Sequence, residues 1–481
     1  MFRRSLASTN GQEVDESQSS NGNGTGTGID PFPKPTSKTE TKTKGARLPI
    51  FNHNGHKVTR GVHPDGESGR RGLHPWHFLK IVMRSTSLAS RVVNVLWPFV
   101  PAAIAIHFAR PDLHLWIFIL NYIAMVPTAN LVGFAGQELA RKLPKVLGVI
   151  LETTLGSIVE IVLFMVLIHN SKHGTLINVI QAAILGSMLA NLLLCLGLCF
   201  FVGGIRRNEQ HFDEAVSEVG SGLLLVAGMG LAVPAVFQTA LNGAMEAELL
   251  QDRVLKISRI TSIFLLVAFF IYVFFQSFTH HSMVEAVLLT DEEKDEDRHK
   301  DLRKAKLTLT ECLVALSVAL TCVSMHAVFL VQQIDYIVAA RHVTENFLGL
   351  ILVPLVEKAA EHLTAVDEAW DNQMNFALAH VLGATIQTAL LNAPLVVIAG
   401  WGLHKHMDLD FDIFMVVVLI LAILVVGNFL RDGKSNYLEG ALCVLVYLII
   451  AVTSWYYEYP AESASDTAEG NASGGAARAL L

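Results

Sequence analysis

From about residue 92 to residue 457 the chain is a near-continuous series of apolar runs, each close to the ~20 residues a helix needs to cross a bilayer. About eleven can be counted, at roughly 92–109, 113–136, 145–169, 174–204, 215–239, 257–279, 307–331, 344–366, 374–402, 409–430 and 438–457. Several contain proline (Pro98, Pro127, Pro234, Pro354, Pro394), which membrane helices tolerate when neighbours satisfy the freed carbonyls. Only 16% of the 481 residues are charged, against about 25% in an ordinary soluble domain. A membrane interior explains that deficit better than one very large soluble core. The predicted fold is therefore an all-α polytopic membrane protein of about 11 transmembrane helices.

The rest of the composition excludes other classes. Cys195, Cys199, Cys312, Cys322 and Cys443 all lie inside apolar runs, with neither disulfide-framework nor zinc-knuckle spacing. No basic tract with interleaved aromatics suggests nucleic acid. Residues 1–75 are mostly polar and Gly-rich, read as a disordered tail, and Met1–Ser5 is not followed by the apolar stretch of a signal peptide. Segment 76–110 joins a basic amphipathic stretch (Trp76, Phe78, Leu79 and Val82 against Lys80, Arg84 and Arg91) to the first span. That stretch either lies on the cytosolic leaflet or simply extends the span.

Orientation follows from lysine and arginine. Arg141, Lys142 and Lys145 follow span two, Arg206 and Arg207 span four, Arg431 and Lys434 span ten; Arg253 and Lys256 run against the trend. The positive-inside rule places the N-terminus in the cytosol and, after eleven crossings, the C-terminus on the luminal side. The acidic stretch within 281–306 lacks the alternating ligands and glycine of an EF-hand and is read as a solvated linker helix. It separates five spans in 111–280 from five in 307–457, leaving 458–481 as a flexible tail. An odd number of spans per half inverts the second half relative to the first, as in many secondary transporters.

The two halves repeat their chemistry. Span three places Glu160 in an apolar run, after Gly156 and Ser157; span eight carries Glu357, Lys358, Glu361 and His362. Each is followed by a span with glycine and small polar residues: Gly186, Ser187 and Asn191 in the first half, and His380, Gly383, Thr385 and Gln387 in the second. An ionised side chain at mid-membrane costs at least ~2.5–3.5 kcal/mol, so such residues usually face a cavity, a partner or a pathway. A buried glutamate can also merely tie helices together, but a duplicated pair argues for a site. Converging carboxylates with hydroxyl and amide oxygens suit Ca²⁺ or a similar hard cation, and the same carboxylates can hold protons. Glu160 and Glu361 are the expected metal-binding residues, with His362 and His380 as candidate proton carriers. The glycines 156, 186 and 383 are expected to allow close helix packing.

At these residues the chain resembles the calcium/proton exchangers of the Ca²⁺/cation antiporter superfamily, in their fungal vacuolar form. The likeness is strongest over Ile184–Leu194 and Phe200–Gly204, over Ala360–Val366, and over Asn428–Ala441. It implies uptake of Ca²⁺ into an acidic vacuole in exchange for H⁺, by alternating access around Glu160 and Glu361. Ser157, Ser187, Asn191, Thr385 and Gln387 fall on the accompanying motifs. The family pattern Gly-Asn-Ala-x-Glu reads Gly156-Ser157-Ile158-Val159-Glu160 in one half and Glu357-Lys358-Ala359-Ala360-Glu361 in the other. Lys358 and Glu357 share a helical face with Glu361 and are expected to modify selectivity. The resemblance implies no catalytic residue, no resident cofactor, Ca²⁺ and H⁺ as substrates, the bilayer as surroundings, and a homo-oligomer as a possible state. Exchange of Mn²⁺, Na⁺ or K⁺, or a transport-inactive sensor, are the alternatives.

Overall fold

A computed structural model of the chain describes residues 54–59, 62–84, 88–170, 175–295 and 303–457. Residues 1–53 of the expected tail, residues 296–302 of the acidic stretch and the C-terminal tail 458–481 lie outside these residues, whereas 62–75, expected as disordered, is tied down, with the Lys142 ammonium donating to Gly66 O at 2.6 Å. Among the described residues, regular structure is helical apart from a two-residue strand pair.

Among the described residues, eight helices are long and apolar enough to cross a membrane: Ser90–Ala109, His114–Ala140, Leu176–Arg206, Val216–Leu241, Ala247–Thr279, Leu309–Arg341, Met374–Gly402 and Tyr437–Tyr456. They coincide with eight of the expected runs. The count of eleven is not confirmed by these criteria, because the other three runs differ. One lies in the helix Lys145–Asn170, whose Thr154–Asn170 stretch is apolar, and another is the shorter apolar helix Ile413–Phe429. The third, expected as one run over 344–366, is broken at Lys358 into helices ending at Glu357 and starting at Ala359.

The connections between spans sort into two sets, each bonded within itself. After spans two and six, the Lys142 ammonium donates to Leu307 O at 2.7 Å and the Leu307 amide donates to Glu138 at 2.8 Å. After spans four and ten, Gln210–His211 and Lys434–Ser435 form the antiparallel strand pair, with Gln210 opposite Ser435. Arg206 stacks over Trp370 at the end of span eight. The other set forms at or beside alternate ends of the spans: His114 to Gln333 at 2.7 Å, Gln181 to Asp408 at 2.8 Å, the Leu409 amide to Ser258 at 3.0 Å, and Tyr457 to Asp412 at 2.8 Å. This alternation is what successive crossings produce.

The linker helix His281–Lys294 is not solvated all round, as a charged insertion would suggest. Leu288 and Asp291 are buried. Asp291 accepts from the backbone amides of Asn375 and Phe376 and from Asn375 Nδ2, at 2.8, 3.2 and 3.0 Å. These amides open the helix Met374–Gln387, where no preceding turn supplies acceptors, so a carboxylate from outside caps it. Burial pushes the Asp291 carboxyl above its ordinary range, and the bonds to Phe376 and Asn375 oppose the shift. The amphipathic stretch forms the helix Pro75–Arg84, whose Ile81 and Val82 are buried while Trp76, Leu79 and Met83 are exposed.

Close approach at mid-chain depends on missing side chains. A Cβ on Gly186 would collide with the backbone of Leu350, and one on Gly349 with Ala182 and the Val179 carbonyl. Glycine at both positions lets the helices through 176–189 and 345–357 touch backbone to backbone.

Candidate ion-binding site

Four helical segments build the site. The first glutamate helix is Lys145–Asn170 and its companion is Leu176–Arg206. In the second half the glutamate segment is the broken pair 345–357 and Ala359–Trp370, and its companion is Met374–Gly402. Both companions widen into a π-helical turn, at Ala190–Cys195 and Thr388–Asn392, a local geometry that recurs at functional sites.

The glutamate segments bond crosswise, each to the companion of the other half. Glu160, 1% exposed, accepts from Thr388 Oγ1 at 3.0 and 3.2 Å and from Asn392 Nδ2 at 2.9 Å. On the same helix the Ser157 hydroxyl donates to Gln387 Oε1 at 2.6 Å. In the reciprocal pairing, Ser187 donates to Glu357 Oε1, and His362 Nε2 pairs with Asn191 Oδ1 at 3.0 Å. The carboxylates of both halves thus converge, as an inverted repeat requires.

Lys358 sits at the centre. Its side chain is 1% exposed, and its ammonium lies 2.8 Å from Glu160 Oε2 and 3.4 Å from Glu361 Oε2. Lys358 therefore bridges the two glutamates expected to share a metal. Among the described residues no three His, Cys, Asp or Glu side chains come together in a metal-holding group. Glu361 is the most open member, with 22% of its side chain exposed. A Cβ on Gly156 would occupy the position of Glu361 Oε1, so that glycine makes room for the carboxylate. Glu357 is buried, and its Oε2 accepts no hydrogen bond among the described residues.

Two expected site residues lie to one side. Thr385 donates to Val381 O of its own helix at 2.7 Å, and His380 pairs with Glu368 at 2.7 Å. Two others were missed: Thr388 and Asn392, the donors to Glu160. The repeat carries a signal for the first of them. Counting five residues from the matched glycines, Gly186 leads to Asn191 and Gly383 leads to Thr388.

The model of the sodium/calcium exchanger protein family matches residues 113–278 and again 312–456, the two halves on either side of the linker. Vacuolar cation/proton exchanger 5 of Arabidopsis thaliana is 34% identical over 391 residues, covering 79% of this chain and 83% of that one. The vacuolar calcium ion transporter of Schizosaccharomyces pombe is 30% identical over 375 residues, covering 78% and 87%. Among solved structures, native YfkE superposes with a TM-score of 0.61 at 25% identity, covering 75% of this chain and all of that one. The H⁺/Ca²⁺ exchanger CAX shares the fold, with a TM-score of 0.53 at 14% identity, covering 76% of this chain and 92% of that one. With carboxylates from two matching halves meeting at one buried point, the chain belongs to the sodium/calcium exchanger family.

Proposed function

We propose that the chain is a Ca²⁺/H⁺ antiporter of the vacuolar membrane, moving Ca²⁺ from the cytosol into the vacuole against luminal protons. The meeting of Glu160 and Glu361, one from each half, on the enclosed Lys358 ammonium carries this reading. A carboxylate oxygen that holds a proton is a poor ligand for a cation, so one cluster can carry either in turn. The crosswise bonds mean that neither half can shift without altering the surroundings of both sets of carboxylates, a geometry suited to alternating access. The names of the relatives support Ca²⁺ as the cation and the vacuole as the compartment. The basic connections, with Arg141, Lys142, Arg206, Arg207, Arg431 and Lys434, face the cytosol in this reading, and the C-terminus faces the lumen.

The test is radioactive Ca²⁺ uptake into sealed vesicles with an acid interior, comparing wild type with Glu160→Gln. Uptake that needs the pH gradient and disappears in the variant is the expected result. Uptake that ignores the gradient, or survives Glu160→Gln unchanged, would overturn the reading.

A further inference from the structure

Glu357 and Lys358 occupy the positions that Gly156 and Ser157 hold in the first half, since Glu361 matches Glu160. The second half therefore carries two opposite charges, side by side, where the first half carries none. Together they leave the formal charge of the cluster unchanged. Three carboxylates and one ammonium sum to the same −2 as two carboxylates alone.

Their positions are not equivalent to that simpler cluster. The Lys358 ammonium stands between Glu160 and Glu361, at 2.8 and 3.4 Å, fully enclosed. An ammonium of this kind is a compact point charge, close in size and coordination to a small monovalent cation. Glu160 is further held by Thr388 and Asn392, so the pocket around the ammonium is built of oxygen and amide groups from both halves. Meanwhile Glu357, anchored on Ser187 by one oxygen, keeps its other oxygen buried and without a donor among the described residues. That oxygen and Glu361 Oε2, which faces the Lys358 ammonium at 3.4 Å without a hydrogen bond, are the carboxylate oxygens of the cluster left without a donor among the described residues.

We propose that Lys358 is a tethered counter-cation filling a monovalent-cation position between Glu160 and Glu361, while Glu357 supplies the compensating carboxylate that a transported divalent cation uses. The inference deepens the exchanger reading and rests on it for the transported ion. Its core, that a monovalent cation fits where the ammonium now sits, can be tested without any transport. Removing the ammonium while keeping its apolar stem leaves a place that a cation from solution must fill, and a ligand that binds the folded state raises its unfolding temperature.

The experiment is thermal unfolding of the full chain in detergent at pH 8, so that protons compete little. Wild type, Lys358→Met and Lys358→Arg are compared in N-methyl-D-glucamine, Na⁺, K⁺ and methylammonium chloride at equal ionic strength. Wild type and Lys358→Arg should respond equally to all four salts. Lys358→Met should be stabilised saturably by at least one small cation, by about 5 °C at a hundredfold excess over its dissociation constant. If that variant does not fold, Glu357→Gln combined with Lys358→Met restores the cluster charge of −2 and carries the same expectation. Indifference of the variant to every small cation, or an equal response in wild type, overturns the proposal. Loss of Ca²⁺ uptake in wild type would instead count against the exchanger reading and leave this result standing.

Discussion

Thr388 donates its hydroxyl to both oxygens of Glu160, at 3.0 and 3.2 Å, across a separation of 228 residues. The bond joins the two halves at the carboxylate itself, where a hydrogen bond to a charged group contributes about 1.5–3 kcal/mol. Thr388→Val keeps the shape and removes the donor. Ca²⁺ uptake efficiency in vesicles should fall about tenfold or more. Uptake equal to wild type would mean that Asn392 and Lys358 alone hold Glu160 in place.

A second expectation concerns the linker helix. Asp291→Ala leaves the amides of Asn375 and Phe376 without their cap, a loss worth about 1 kcal/mol. Hydrogen exchange at those two amides should accelerate about fivefold, while exchange in the helix Tyr437–Tyr456 stays unchanged. Unaltered exchange at 375–376 would show that the linker helix is not what holds the start of that companion helix.

The connection before the helix Ile413–Phe429 carries a pH dependence. Burial, with Asp408 and then Asp412 nearby, pushes the Asp410 carboxyl from an ordinary 3.8 up to about 7. The folded state therefore binds a proton more tightly than the unfolded chain does. The resulting stability is fully present below about pH 4 and is lost as pH rises towards 7. Unfolding temperatures in detergent should drop over that window in wild type and drop less in Asp410→Asn. Identical pH profiles for the two proteins would refute the assignment.

Packing gives a matched pair of glycine substitutions. Gly186→Ala drives a methyl group into the Leu350 backbone, whereas Gly222→Ala meets nothing within 4 Å. The first should destabilise by about 1–3 kcal/mol through overpacking. The second should be neutral or stabilising by up to about 1 kcal/mol, as for alanine replacing glycine in a helix. Unfolding temperatures of the purified variants decide between them.

Much of this was legible in the residues. Glu160 stands out because its apolar neighbours make its charge conspicuous, and the basic residues after spans two, four and ten mark connections that the structure ties into one set. The break at Lys358 was not legible. Neither glycine nor proline marks it, and Pro354, four residues earlier, is of a kind found in several unbroken spans. Nor was the part played by Thr388 and Asn392. They lie in a π turn, where a face counted at 3.6 residues per turn drifts, and Thr385, which looked equivalent, spends its hydroxyl on its own helix. The docking of Asp291 depends on a partner 84 residues away, which no local pattern in an acidic stretch reveals.

The crosswise bonding also sets a timetable for biosynthesis. Asn392, a donor to Glu160, follows it by 232 residues. At a synthesis rate of roughly 5–20 residues per second, the wait between them is about ten to fifty seconds. Throughout that interval the newly inserted first half exposes a carboxylate whose partners have not yet been made. A chain truncated before residue 388 never acquires them, and its Glu160 keeps neither the Thr388 nor the Asn392 donor.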